Sequence, residues 1–143
     1  MKFLVINGPN LNFLGKRQPE IYGHTSFDTL EQIIRATCAA ADIEVTLFQS
    51  NHEGAIVDTI QAAYGVYDGI IINPGAYTHT SIAILDALNA VGIPAVEVHI
   101  SDIKSREAFR QISYAGMACI ETIMGQGIDG YRQAILHLKS YLT

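Results

Sequence analysis

The chain has 143 residues, 49% of them hydrophobic and 16% charged, with a formal net charge of −5. That length gives one domain whose core needs neither metal nor crosslink, and the composition excludes disorder. The acidic balance argues against general nucleic-acid binding, which needs a basic face to neutralise phosphates, and no apolar run is long enough to span a membrane.

In chain order, the first element is a strand over Lys2–Ile6, with no signal-peptide pattern before it, so a cytoplasmic domain is expected. The polar stretch that follows, Asn7 to Gly23, is too long for a plain strand-to-helix connection. It holds Arg17 and Tyr22 on a segment punctuated by Gly15, Pro19 and Gly23. A cation beside a phenol favours the phenolate, so this loop suggests a tyrosine base closing over a substrate. Thr25 or Ser26 then caps a helix with Phe27, Leu30, Ile34 and Cys38 along one stripe.

A second strand spans Glu44–Phe48, and the segment after Glu53 sets Ile56, Ile60 and Ala63 on one helical face. A third strand, Gly69–Ile72, leads to a helix predicted from near Thr78 to Ala90, stopped by Gly92 and Pro94. Strand four is Ala95–Val98. Ser105 caps a short turn through Arg106 to Arg110, Ala118–Thr122 forms strand five, and a last helix runs from about Gly130 to Leu142. Tyr131, Ile135, Leu138 and Leu142 face inward on it.

Nearly continuous apolar strands alternating with helices predict an α/β fold, a flavodoxin-like doubly wound sheet of five parallel strands in the order 2-1-3-4-5. A single domain is expected over residues 1–143, without linker or repeat. The sparse charge suggests that other subunits cover much of its surface. Cys38 and Cys119 read as buried free thiols.

Ligands of such sheets bind beyond the carboxyl ends of the strands, where three strand ends carry polar side chains: Asn7–Asn10, Asn73–Thr80 and Glu97–Ser101. Glu97 and His99 are two apart, hence on one strand face, and an unpaired buried Glu is costly. A carboxylate that orients an imidazole makes His99 a general acid; a structural Glu–His bond is the plainer alternative. His79 and Asp86, seven apart, fall on one face of the predicted helix, and Arg106 and Arg110 lie one turn apart. Tyr77 reads as packing. The run Gly125-Gln126-Gly127-Ile128-Asp129-Gly130 reads as a tight turn, because a dinucleotide fingerprint follows the first strand. No metal-ligand spacing and no hydrolase elbow is present in the sequence.

These segments together resemble type II 3-dehydroquinate dehydratase. The resemblance rests on Asn7-Gly8-Pro9-Asn10-Leu11-Asn12 with Leu14-Gly15, Arg17, Pro19 and Tyr22-Gly23, then Asn73 to Ser81, Glu97 to Ser101, Arg106-Glu107 with Phe109-Arg110, and Ser113-Tyr114. It spans nearly the whole chain, in order. It departs from the family at Leu85, where arginine is common, at Asp102, where Asn is common, and at Ile112, where histidine is frequent.

The resemblance implies removal of water from 3-dehydroquinate to give 3-dehydroshikimate, by anti elimination through an enolate, without metal, cofactor or Schiff base. Of the four lysines (Lys2, Lys16, Lys104, Lys139), none falls inside an apolar strand that would depress its pKa, so a Schiff base has no good candidate. By matching position, Tyr22 is the base and Arg17 holds it as phenolate, a shift of roughly two to three units or about 3–4 kcal/mol. Asn10 stabilises the enolate through a water, and His99, oriented by Glu97, protonates the leaving hydroxyl. Asn73, Ser101 and the Ile100 backbone match the family's carboxylate site, and His79 and Arg110 its contacts to ring hydroxyls. The resemblance further implies a homo-oligomer, a dodecamer built as a tetramer of trimers, with Asp86 reaching a neighbouring subunit's site. The competing expectation is a non-catalytic flavodoxin-like small-molecule binding module.

Overall fold

The computed structural model describes residues 1–16, 18–22 and 25–143, with Pro19 and Tyr22 described by their backbone alone. Arg17 and the Tyr22 side chain, the expected base and its cation, lie outside the described residues.

Five parallel strands form one sheet in the order β2-β1-β3-β4-β5, as the alternation of elements predicts. They are β1 (Lys2–Asn7), β2 (Glu44–Gln49), β3 (Gly69–Asn73), β4 (Ala95–His99) and β5 (Glu121–Met124). The helices are α1 (Pro19–Tyr22), α2 (Phe27–Ala40), α3 (Glu53–Ala62), α4 (Ile82–Val91) and α5 (Asp129–Leu142). Strand alternation divides the core between two faces. Phe3, Val5, Ile71, Val96 and Val98 pack with Leu30 and Ile34 of α2 and with Tyr131, Ile135 and Leu138 of α5. On the other face, Leu4, Ile6, Ile70, Ile72 and Ala95 pack with Ile56 and Ile60 of α3 and Ile84 and Leu88 of α4.

Ser26 caps α2, its hydroxyl accepting the Thr29 N–H. Cys38 is buried and Cys119 partly buried, both as free thiols. Burial pushes the Cys38 thiol up to about 11.

Three elements differ from the sequence pattern. The third helix begins at Ile82, not Thr78: residues Gly75–His79 wind as a 3-10 turn, Thr80 breaks it, and Ser81 caps α4 by accepting the Ile84 N–H. His79 and Asp86 therefore share no helix face. Strand five starts at Glu121, because Ala115–Ala118 is itself a 3-10 turn. Between β4 and that turn, Ile103–Ser105 and Ala108–Arg110 are separate 3-10 turns. Asp102, not Ser105, caps the first, and Arg106 between them is extended, so Arg106 and Arg110 do not share a helical turn.

Register brings the polar residues together at the carboxyl edge. Asn7 pairs with Asn73, Ile72 with Glu97, and Glu97 in turn with Thr122. Where β1 and β3 end, a Cβ on Gly8 would lie 2.3 Å from the Pro74 carbonyl oxygen, so only glycine lets the two loops approach this closely.

Candidate active site

Beyond the carboxyl ends of β1, β3 and β4 lies a cavity of about 140 Å³. Asn10, Asn73, His79, His99, Ile100 and Ser101 line it, with Arg106 and Arg110. The three strand ends thus converge as expected. Asp86 does not join them: it is exposed on α4.

Glu97 and His99 point to the same face of β4 and are both buried. His99 Nε2 lies 2.9 Å from Glu97 Oε2. A carboxylate only accepts, so Nε2 carries the hydrogen and Nδ1 is the nitrogen left for proton exchange. Burial works to raise the Glu97 pKa, but the His99 hydrogen bond and charge, with the Ser113 and Thr78 hydroxyls, hold it down at about 2. The pair is therefore a carboxylate and a histidine ring in defined orientation.

His79 stands in front of His99, ring centroids 6.5 Å apart and 20° between planes. Its Nδ1 is 2.8 Å from the Ile112 carbonyl oxygen. A carbonyl cannot donate, so Nδ1 bears the hydrogen and Nε2 is an acceptor. Burial lowers the His79 pKa most, and the charges of His99 and Arg110 lower it further, against the Ile112 hydrogen bond. A neutral His79 is suited to accept from a hydroxyl.

At the cavity floor, Asn73 is fixed on both ends of its amide. Its Nδ2 donates to the Tyr131 hydroxyl at 2.9 Å, and its Oδ1 accepts the Gly75 N–H at 3.1 Å. The Tyr131 hydroxyl donates in turn to Asn7 Oδ1 at 2.6 Å. One Asn73 hydrogen remains for a ligand. Full burial raises the Tyr131 pKa far above the usual phenol value, so this tyrosine is a neutral relay, not a base.

Asn10 holds a left-handed backbone, φ 70°. Its N–H donates to Asn51 Oδ1 at 3.0 Å, and Tyr77 donates to the Asn51 carbonyl at 2.8 Å. Tyr77 packs as expected and also pins the residue that sets Asn10. The carbonyls of Ile100 and Ser101 accept the N–H groups of Gly127 and Gly125, each at 3.1 Å, so the tight glycine turn braces this wall. Ser101 Oγ also accepts from Arg106 Nη1 at 3.4 Å, and Arg110 is paired with Glu107.

Sequence reasoning missed Tyr131 as a polar group, since its spacing on α5 reads as core. It also missed Asn51, and that the hydroxyls of Thr78, Ser113 and Thr122 surround Glu97; Thr78 and Ser113 stand in segments that carry the resemblance, but nothing in their spacing marks them as partners of Glu97. Among the described residues no group of three or more His, Cys, Asp or Glu is placed to hold a metal ion, and no helix is long and apolar enough to cross a membrane.

The comparisons with known proteins agree with this geometry. Residues 1–139 match the family described as "Dehydroquinase class II". The chain is 52% identical over 139 residues to the "3-dehydroquinate dehydratase" of Gloeothece citriformis, covering 97% of this chain and 91% of that protein. It is 53% identical over 135 residues to the "Catabolic 3-dehydroquinase" of Penicillium rubens, covering 94% of this chain and 87% of that one. The crystal structure of type II dehydroquinase from Butyrivibrio crossotus superposes with a TM-score of 0.95 at 55% identity, covering 97% of both chains. The chain belongs to the dehydroquinase class II family.

Proposed function

We infer that this chain catalyses the dehydration of 3-dehydroquinate to 3-dehydroshikimate, by anti elimination through an enolate, as one catalytic domain. The Glu97–His99 pair supports this reading most. A buried carboxylate fixed on one imidazole nitrogen leaves the other as the proton-exchanging atom at the wall of a cavity.

In this reading Tyr22, held as phenolate by Arg17, removes the proton beside the ketone. The electron pair moves into the carbonyl, and Asn10 stabilises the enolate oxygen through a bound water. The enolate then collapses to the conjugated enone. The departing hydroxyl takes a proton from the imidazolium of His99 and leaves as water. No step needs a metal or a cofactor.

Asn73, Ser101 and the Ile100 backbone hold the substrate carboxylate, and His79 and Arg110 the ring hydroxyls. The acceptor nitrogen of His79 and the remaining Asn73 hydrogen support these roles. Asp86 completes a neighbouring subunit's site within a dodecamer, a tetramer of trimers in the cytoplasm. Its exposure on α4, with Ile82, Phe109, Ile112 and Met117 exposed, supports that assembly. Purified protein given 3-dehydroquinate should generate enone absorbance and sediment as a dodecamer. A well-folded dodecamer that leaves the substrate intact would sink the reading.

A further inference from the structure

We propose that Thr78, Ser113 and Thr122 are positioning residues for the acid of this site, forming a hydroxyl cage that keeps Glu97 an acceptor aimed at His99. The proposal rests on the reading of His99 as general acid.

Glu97 is fully buried. Its Oε2 accepts from the hydroxyls of Thr78 and Ser113 as well as from His99 Nε2, and its Oε1 accepts from Thr122 at 2.8 Å. Three donors therefore crowd Oε2 and one reaches Oε1, and the Thr78 and Ser113 hydroxyl oxygens lie 3.1 Å from each other. The hydroxyls come from three separate segments: the 3-10 turn after β3, the chain before Ala115, and β5. Each hydroxyl has one hydrogen to give. Ser113 Oγ accepts the Gly116 N–H at 3.0 Å, which helps direct its own hydrogen to the carboxylate.

The cage closes tightly. A Cβ on Gly116 would lie 2.7 Å from Glu97 Oε1, 3.1 Å from Ser113 Oγ and 3.2 Å from Thr122 Oγ1, so no side chain fits there. Protonating Oε2 would force one of its three donors to turn away and lose that hydrogen bond. The cage therefore selects the carboxylate form, which keeps the His99 Nε2 hydrogen engaged and leaves Nδ1 as the acid.

The other titratable groups near Glu97 do not replace this function. His79, from the turn after β3, is held towards neutrality. Burial and the Glu97 charge push the Cys119 thiol up to about 12. Arg110 is paired with Glu107, and the exposed Lys104 lines the cavity behind the cage that Glu97, Ser113 and Thr122 also border. Three hydroxyls and one imidazole thus share the task of holding the buried charge.

The test uses the intact protein with ¹³C-labelled Glu carboxyls and ¹⁵N-labelled His, comparing wild type with Thr78→Val/Ser113→Ala and with the conservative Thr78→Ser. In the double variant the Glu97 carboxyl titration should rise by at least about one pH unit. Its kcat should fall about tenfold while KM changes less than about twofold, and Thr78→Ser should keep the wild-type titration and kcat. An unmoved Glu97 titration, or a loss of kcat without any shift, overturns the cage and leaves only packing. If the double variant does not fold, Thr122→Val tests the same point through Oε1, where an unmoved titration overturns it equally. The carboxyl titration does not depend on turnover. Absence of dehydratase activity in wild type would therefore show as failure of the underlying reading, separately from failure of the cage.

Discussion

The Tyr131 hydroxyl accepts a hydrogen bond from Asn73 at 2.9 Å, tying α5 to the cavity floor across 58 positions of sequence. The same hydroxyl donates to Asn7, so one buried phenol fixes two strand ends. Tyr131→Phe leaves Asn7 Oδ1 and one Asn73 hydrogen without a partner. Stability should fall by about 1–3 kcal/mol in urea unfolding. KM should rise several-fold with kcat less affected if Asn73 binds the substrate carboxylate as proposed.

Acid stability should follow Glu97. Its folded pKa, about 2, lies below the ordinary 4.5. The resulting stabilisation is complete above pH 4.5 and is lost as pH falls toward 2, to a limit on the order of 3 kcal/mol. Urea midpoints measured between pH 6 and 3 should decline less steeply in Glu97→Gln than in wild type. Equal slopes would remove Glu97 from the acid response.

His79 should titrate below its ordinary 6.5 in ¹⁵N or ¹H spectra, since burial disfavours its charged form. His79→Asn can keep a donor to the Ile112 carbonyl but loses the acceptor at Nε2. KM should rise about tenfold with little loss of melting temperature. An unchanged KM would place the ring hydroxyls elsewhere.

Both thiols are raised, Cys38 to about 11 and Cys119 to about 12, mainly by burial. Alkylation by iodoacetamide at pH 7.5 should therefore be slow in the folded protein and fast in urea. Fast native labelling would show an opening that the packed core does not suggest.

Much of this was legible in the sequence. β1 and β3 are nearly continuous apolar runs, and the two-residue spacing of Glu97 and His99 in β4 foretold a shared face and a bond. The start of α4 was not legible, because Thr78 looks like a helix residue while its hydroxyl is committed to Glu97 and Ser81 does the capping. β5 slipped by three residues because Ala118, Cys119 and Ile120 are apolar enough to read as the start of the strand. Arg106 and Arg110 looked like one helical turn, yet Asp102 starts a separate turn before them. The cage around Glu97 joins residues 19, 16 and 25 positions away, and no local periodicity reports contacts made only by folding.

The most direct measurement is turnover of 3-dehydroquinate, followed by enone absorbance, in wild type and Tyr22→Phe with and without borohydride. Wild type should turn over and resist borohydride, while Tyr22→Phe loses at least about a hundredfold in kcat. Wild-type turnover in Tyr22→Phe, or inactivation by borohydride in the presence of substrate, would contradict the tyrosinate mechanism.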